Sequence, residues 1–303
     1  MITARPEMLW ERTDAAVELG RRFGFPSADA AADWAVRVLA EDYELGLESL
    51  DRMVISAHNV MFWVTARDAG RLLIKVCRLA AAHDSLAARA ALVRWLSGRG
   101  LPVAPPLPTV AGDHQLLRDG RSLGIQPVLS GELLDGGDLE QVRAAGEMLA
   151  SLHEHVADWP DAARLEHARP VAGGGPGVPG APAELRSRLE QRARDLPELP
   201  RQPVHADYRG ANILTHGVTI TGLLDFEEAR LDTAVADLAR AVCLLGTWYH
   251  DWKPLSPEAQ AAFLDGYTAR RPLTGAEQAC LPVIIGRSML GLGWWDEARR
   301  WLA

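Results

Sequence analysis

Lysine is almost missing from this chain. Among 32 Lys and Arg residues only Lys75 and Lys253 are lysines, so a lysine kept inside a strand-like run carries unusual weight. Cysteine is scarce as well. Cys77, Cys243 and Cys280 lie far apart in apolar stretches and lack metal-ligand spacing, which excludes a disulfide-stapled scaffold and reads as buried free thiols of a reducing compartment. No apolar run approaches the roughly 18 residues of a membrane span. The opening Met-Ile-Thr-Ala-Arg-Pro-Glu has no basic head followed by an apolar stretch, so a cytoplasmic protein with no membrane partner is expected. A basic patch is also lacking. The net charge is −8, the pI is near 5.6 and the cations are dispersed, which argues against nucleic acid as a partner. With 303 residues, one large or two modest domains are expected.

What is present concentrates between residues 204 and 230. There Val-His-Ala-Asp-Tyr-Arg-Gly-Ala-Asn-Ile-Leu is followed by a short turn and Thr-Gly-Leu-Leu-Asp-Phe-Glu-Glu-Ala-Arg. Asp207 and Asn212 bound a tight polar loop, and Asp225 ends an apolar strand thirteen residues after Asn212. Transfer of a phosphoryl group to a hydroxyl needs a carboxylate that orients the hydroxyl and accepts its proton. It also needs oxygen ligands that hold Mg²⁺ against the phosphates. A lone His-x-Asp is usually a loop or cap, and Asp-Phe often merely ends a strand. The two in register, flanked by Ile213-Leu214 and Leu223-Leu224, point instead to one base and two metal ligands on a hairpin.

His205-Ala-Asp207-Tyr-Arg-Gly-Ala-Asn212 with Leu224-Asp225-Phe-Glu-Glu228 resembles the catalytic and metal-binding loops of the aminoglycoside phosphotransferase and choline kinase-like superfamily. The resemblance implies an α+β, two-lobed, protein-kinase-like fold with a small antiparallel sheet in the N-lobe, a mainly helical C-lobe, and an ATP- and Mg²⁺-dependent active site in the cleft. It makes Asp207 the base, Asn212 and Asp225 the Mg²⁺ ligands, and His205 a brace for the loop. Ala206 stands where most relatives have Gly. Glu227 is placed to reach a second metal, directly or through water, with simple exposure as the alternative. Asp237 looks like the family's structural aspartate that braces the catalytic loop, although the Pro usual three residues earlier is Ala234 here.

Upstream, residues 5–46 show apolar spacing of three and four, broken by Gly24-Phe25-Pro26, which predicts two helices before any strand. Residues 1–49 are expected to form a helical extension, 50–129 the nucleotide-binding lobe, and 132–303 the helical lobe. Strand patterns follow at 53–55, 60–65 and 71–76. Ser56 and Asn59 fall in the turn where kinase relatives cover the ATP phosphates, although an ordinary hairpin turn would look similar. Lys75, inside Leu-Leu-Ile-Lys-Val, must emerge at an edge or meet an anion. In kinases the third strand presents such a lysine to the α- and β-phosphates. The helix predicted over 85–95 should supply an acid to pair with it, but the slot holds Arg89, and Asp84 is the nearest carboxylate. Two further strands flank Asp119-Gly120, and 126–131 matches the hinge, where Gln126 and Val128 are expected to read adenine through their backbone.

Downstream, residues 140–156 predict an amphipathic helix whose His153 and His155 do not share a face, which argues against a metal site. The low-complexity stretch 169–183 reads as a mobile loop on the substrate side. The helical remainder carries Trp248, Trp252, Trp294, Trp295 and Trp301, which either fill a core or, beside Asp251, Asp296 or Glu297, hold an ammonium group of the acceptor. The expected function is phosphorylation of a hydroxyl on a small molecule, with an amine-bearing antibiotic or secondary metabolite as the main acceptor class. The alternatives are a choline- or homoserine-type metabolic kinase and a non-catalytic nucleotide-binding scaffold.

Overall fold

The computed structural model describes residues 5–166 and 180–303, so most of the low-complexity stretch, residues 169–179, lies outside the described residues. The chain divides into two compact units, residues 1–129 and 130–303. The boundary falls inside the 126–131 segment.

The first unit runs β1 (Pro6–Met8), α1 (Ala15–Phe23), α2 (Ala28–Asp42), β2 (Leu47–Ile55), β3 (Asn59–Ala66), β4 (Gly70–Cys77), α3 (His83–Gly98), β5 (Leu116–Arg118) and β6 (Arg121–Pro127). They build one six-stranded sheet in the order β1-β2-β3-β4-β6-β5. All neighbours are antiparallel except β1, which pairs parallel with residues 53–55 of β2. The expectation of two helices before any strand is therefore corrected. A three-residue edge strand is too short to show alternation, and its Pro6 is tolerated because an edge needs no second ladder of hydrogen bonds.

Alternation along β4 places Leu72, Ile74 and Val76 in one hydrophobic cluster with Leu19, Phe23, Trp34 and Val38 of α1 and α2. The two N-terminal helices thus share the core of the sheet and cover one of its faces. Asp14 and Ser27 cap them, each side chain accepting from first-turn N–H groups. Their junction is fixed to the β5–β6 turn. The Trp34 indole donates to Asp119 at 2.8 Å, and the Arg121 guanidinium lies 4.4 Å from the Phe25 ring centre while donating to the Phe23 carbonyl at 2.9 Å.

The second unit runs β7 (Glu132–Leu133), α4 (Leu139–Ala157), α5 (Ala183–Ala193), β8 (Arg201–Val204), β9 (Ile213–His216), β10 (Thr219–Leu223), β11 (Arg230–Thr233), α6 (Ala234–Leu244), β12 (Thr247–Trp248), β13 (Asp251–Trp252), α7 (Pro257–Arg270), α8 (Gly275–Gly291) and α9 (Trp295–Trp301). Its strands are short and do not form one layer: β10-β9-β7, β11-β8 and β12-β13 are separate small sheets. Helices α4 and α7 pack so closely that a Cβ on Gly146 would meet the Phe263 carbonyl oxygen at 2.1 Å. No helix among the described residues is long and apolar enough to cross a membrane.

Candidate active site

The β9–β10 hairpin explains how residues thirteen apart meet. Its register pairs Ile213 with Leu223, so Asn212 and the Leu224-Asp225 exit flank its open end. There Leu224 N–H donates to the Asn212 carbonyl at 2.8 Å. Asn212 turns its amide nitrogen toward Asp207 and donates both to the Asp207 carbonyl and to its carboxylate, each at 2.9 Å. The hairpin thus gathers base and ligand candidates from two loops.

His205 ties these loops together. Its Nε2 donates to the Leu224 carbonyl at 2.9 Å, which leaves Nδ1 to accept the Asp207 N–H at 3.2 Å. The ring is clasped by Phe226, with centroids 4.5 Å apart, and meets Tyr208 edge-on at 5.8 Å. The Tyr208 hydroxyl donates to the Ala145 carbonyl of α4 at 2.8 Å, and burial raises its pKa well above the ordinary value, keeping the phenol neutral. Tyr208 is thus an anchor for the loop.

Beneath the loop sits Asp237, in the first turn of α6 and fully buried at its side chain. It accepts the N–H groups of His205 at 3.0 Å and Ala206 at 2.8 Å, and Nε2 of His153 at 3.1 Å. His153 in turn meets the Tyr267 hydroxyl through Nδ1 at 2.8 Å. Burial alone would raise the Asp237 pKa. The hydrogen bond and charge of His153, with His205 and the Ala206 N–H, outweigh it and hold the carboxyl below its usual range.

Two backbone positions are held against their preference. Ala206 has φ of 64° and Asp225 φ of 60°, both left-handed, a region that costs an alanine roughly 1–2 kcal/mol. At Ala206 the cost is offset by delivering two successive N–H groups to one carboxylate. At Asp225 it turns the chain sharply out of β10 into the short turn Phe226–Glu228, where Glu227 is half-buried. Gly210 is required for another reason. A Cβ there would meet the Leu245 carbonyl oxygen at 2.7 Å and the Trp248 indole nitrogen at 2.9 Å.

The Asp207 carboxylate is poised by opposing effects. Burial raises its pKa, Arg209 draws it back down, and the negative charge of Asp225 lifts it again, leaving it above the ordinary aspartate value. Arg209 Nε lies 3.3 Å from Asp207 Oδ2, and only 11% of the Arg209 side chain is exposed. Arg209 is not among the positions that mark the motif, Asp207, Asn212 and Asp225. Its signal was its place two residues after the carboxylate and directly before a glycine that must approach other backbone closely.

The remaining candidates lie in the first unit. Alternation along β4 puts Lys75 on the sheet face opposite α1 and α2, paired with Met61 on one side and Gly124 on the other. Gln126 pairs with Leu73. Val128 gives its N–H to the Arg71 carbonyl at 3.0 Å, so that N–H serves the sheet. Ser56 and Asn59 close the β2–β3 turn on each other. The Ser56 N–H donates to the Asn59 carbonyl at 2.8 Å, and the Asn59 N–H to the Ser56 hydroxyl at 3.1 Å. Asp84 is exposed in the first turn of α3, while Arg89 is buried on the same helix. The acids that neighbour the tryptophans in sequence form ion pairs. Asp251 pairs with Lys253 at 2.8 Å, Asp296 with Arg299 at 2.6 Å and Glu297 with Arg300 at 2.6 Å.

A divalent cation suits the second-unit residues. With the Asn212 amide nitrogen spent on Asp207, its amide oxygen remains as a hard donor, and the hairpin register brings the Asp225 backbone to the same open end. No cluster of three or more His, Cys, Asp or Glu groups able to hold a metal occurs among the described residues. A cation here would draw further ligands from phosphate and water, as Mg²⁺ does.

The model of the phosphotransferase enzyme family matches residues 54–276. The chain belongs to this family. Membership makes it a phosphotransferase. The chain is 31% identical over 259 residues to a homoserine kinase of Methylobacillus flagellatus (strain ATCC 51484), covering 80% of this chain and 77% of that protein. It is 33% identical to a homoserine kinase of Gluconobacter oxydans (strain 621H), and that match spans 64% of each chain, just under two thirds. Among solved structures it resembles the amicoumacin kinase hAmiN in complex with AMP-PNP, Ca²⁺ and Ami, with a TM-score of 0.67, 16% identity, and coverage of 89% and 92% of the two chains. That likeness carries the fold, the α+β, protein-kinase-like architecture with an antiparallel-rich N-terminal sheet and a helical C-terminal part.

Proposed function

We propose that this phosphotransferase moves the γ-phosphoryl group of ATP onto the hydroxyl of a small amino alcohol of the homoserine type, with Asp207 as the base. The observation that carries this reading is Asp207 itself: a largely buried carboxylate oriented by Asn212, flanked by Arg209 and raised in pKa by its surroundings. In the proposed step the acceptor oxygen forms a bond to the γ-phosphorus while the bond from that phosphorus to the bridging oxygen breaks. ADP leaves, and the hydroxyl proton passes to an Asp207 carboxylate oxygen. Because the transition state is loose, the proton transfers late, and the main work of Asp207 is to aim the hydroxyl. The Arg209 guanidinium favours the ionised form of Asp207 against its burial and stands ready to meet the negative charge that the transferring group brings.

Asn212 and Asp225, with Glu227 next in line for a second ion, would hold Mg²⁺, which when bound neutralises phosphate charge. Lys75 is proposed to meet the α- and β-phosphates, the Ser56–Asn59 turn to cover them, and Gln126 and Val128 to offer backbone groups to adenine. A cytoplasmic location fits the composition.

The acceptor class follows the relatives. The homoserine kinases match at about one third identity over most of the chain, whereas the antibiotic kinases among the solved structures share the fold at 14–18% identity. Homoserine is therefore favoured over the antibiotic expected first. The intact set of Asp207, Asn212 and Asp225 argues against a non-catalytic scaffold. Initial rates with ATP and Mg²⁺ against homoserine, choline and kanamycin test the acceptor. Homoserine should lead in kcat/KM by about a hundredfold or more, since sites built to bond an acceptor's polar groups discriminate at least that strongly. A lead for kanamycin would restore the antibiotic reading.

A further inference from the structure

On the α1 side of the β2–β3 turn lies a cavity of about 230 Å³, lined by Glu11, Arg21, Arg22, Ala57, His58 and Arg78. Its place follows from strand alternation. Val76 packs against α1 and α2 while Lys75 occupies the other face, and Arg78, two residues beyond Val76, returns to the α1 side. The cavity therefore lies behind the turn, away from the face that presents Lys75. It is smaller than the usual range for drug-sized ligands, and its walls are made of charge.

That charge is unbalanced. Glu11 meets Arg22 Nη1 at 2.8 Å, and Glu18, just outside the wall, meets both Arg22 and Arg21, the latter at 2.5 Å. Three guanidinium groups against two carboxylates leave one positive charge in excess beside His58. Two of the three, Arg22 and Arg78, also hold the turn. Arg22 Nη1 donates to the Ser56 carbonyl at 3.0 Å, Arg78 Nε to the Ala57 carbonyl at 3.3 Å, and the Arg78 N–H to the His58 carbonyl at 3.1 Å.

We propose that this cavity binds a small oxyanion, a carboxylate- or phosphate-bearing metabolite, and that its occupancy loosens the Ser56–Asn59 turn and weakens nucleotide binding. An oxyanion in the cavity competes for the guanidinium N–H groups that now hold the Ser56 and Ala57 carbonyls, because a charged acceptor makes the stronger hydrogen bond. Released from those contacts, the turn presents its N–H groups less well to phosphate. The cavity and the turn are thereby linked with opposite sign, and by reciprocity nucleotide should weaken the anion. The regulatory half rests on the reading of this turn as the phosphate-covering loop; the binding half does not.

The test uses the full chain at constant ionic strength, titrated with inorganic phosphate and separately with malonate, to separate phosphate from dicarboxylate sources. The readout is thermal unfolding of wild type, Arg78→Gln, Arg21→Gln and Lys75→Met. Wild type should gain Tm saturably with at least one anion. The gain should be lost in Arg78→Gln, diminished in Arg21→Gln and retained in Lys75→Met. No gain, a gain indifferent to both arginine changes, or one lost only in Lys75→Met would overturn the site, the last because the anion would then occupy the nucleotide face. Where Arg78→Gln alone unfolds early, Arg21→Gln decides, since its side chain is 64% exposed. The saturating anion should raise KM for ATP severalfold and leave kcat unchanged. Anion binding at the cavity with an unchanged KM would overturn the coupling and leave the kinase reading intact.

Discussion

The loop that carries Asp207 and the turn that carries Ser56 are held in opposite ways. The first is fastened from beneath by a fully buried carboxylate, Asp237, which collects two loop N–H groups and a histidine, and by His205, which bridges to the strand before Asp225. It keeps an alanine, Ala206, in left-handed backbone. The second is a short turn closed on itself through the Ser56 hydroxyl and steadied by arginine side chains at its flank. The difference matches the tasks proposed for each. A base must meet the acceptor hydroxyl within a fraction of an ångström, so its support is buried and over-determined, whereas a loop that covers phosphates must yield as nucleotide enters and leaves.

The largest effect expected from breaking this contrast is at Asp237. Asp237→Ala strands the His205 and Ala206 N–H groups and His153, and should cost about 3–5 kcal/mol, the range for removing one partner of a buried charged pair. Urea unfolding should show it. The native carboxyl is held below its unfolded value. Its stabilising contribution is therefore complete above the unfolded pKa and fades as pH falls through the native one, and the variant should lack that acid-side loss. On the other side of the comparison, Lys75→Met should raise KM for ATP by tenfold or more, about 1.4 kcal/mol, while the urea midpoint stays close to that of wild type. The smallest effect is a gain. Ala206→Gly removes the left-handed penalty at φ of 64° and should stabilise by about 1 kcal/mol after the entropy of glycine is counted. A loss of stability there would show that the methyl group is needed for packing.

How much of this was legible beforehand depended on sequence distance. The β9–β10 hairpin and the meeting of Asn212 with the strand before Asp225 could be read from local alternation and one turn. The sheet-facing role of α1 and α2 could not. Their spacing announces an apolar stripe but not what the stripe covers, and the strand before them is three residues long. Asp237 was noticed, but its partner His153 lies 84 residues away on another helix, and the pairing of His153 with Tyr267 spans 114 residues. Nothing periodic links such positions. The ion pairs of the acids beside the last tryptophans were within reach of local spacing, since Asp296 with Arg299 and Glu297 with Arg300 are three apart on one helix.

Asp207→Asn, assayed in parallel for ATP binding by calorimetry and for phosphoryl transfer to homoserine by initial rates across pH, probes the role of this carboxylate most directly. Asparagine can still accept from Asn212, so the loop should keep its shape. The fold should become more stable at neutral pH, because the raised native pKa of Asp207 is a cost absent below the unfolded pKa and complete above the native one. ATP should bind as before, while turnover falls by roughly 10²–10⁴-fold. In wild type the acidic limb of kcat/KM should lie above the ordinary aspartate value of 3.8. Turnover in the variant within about twofold of wild type, where a general base supplies roughly 10²–10⁴, would contradict the assignment of Asp207 as the base.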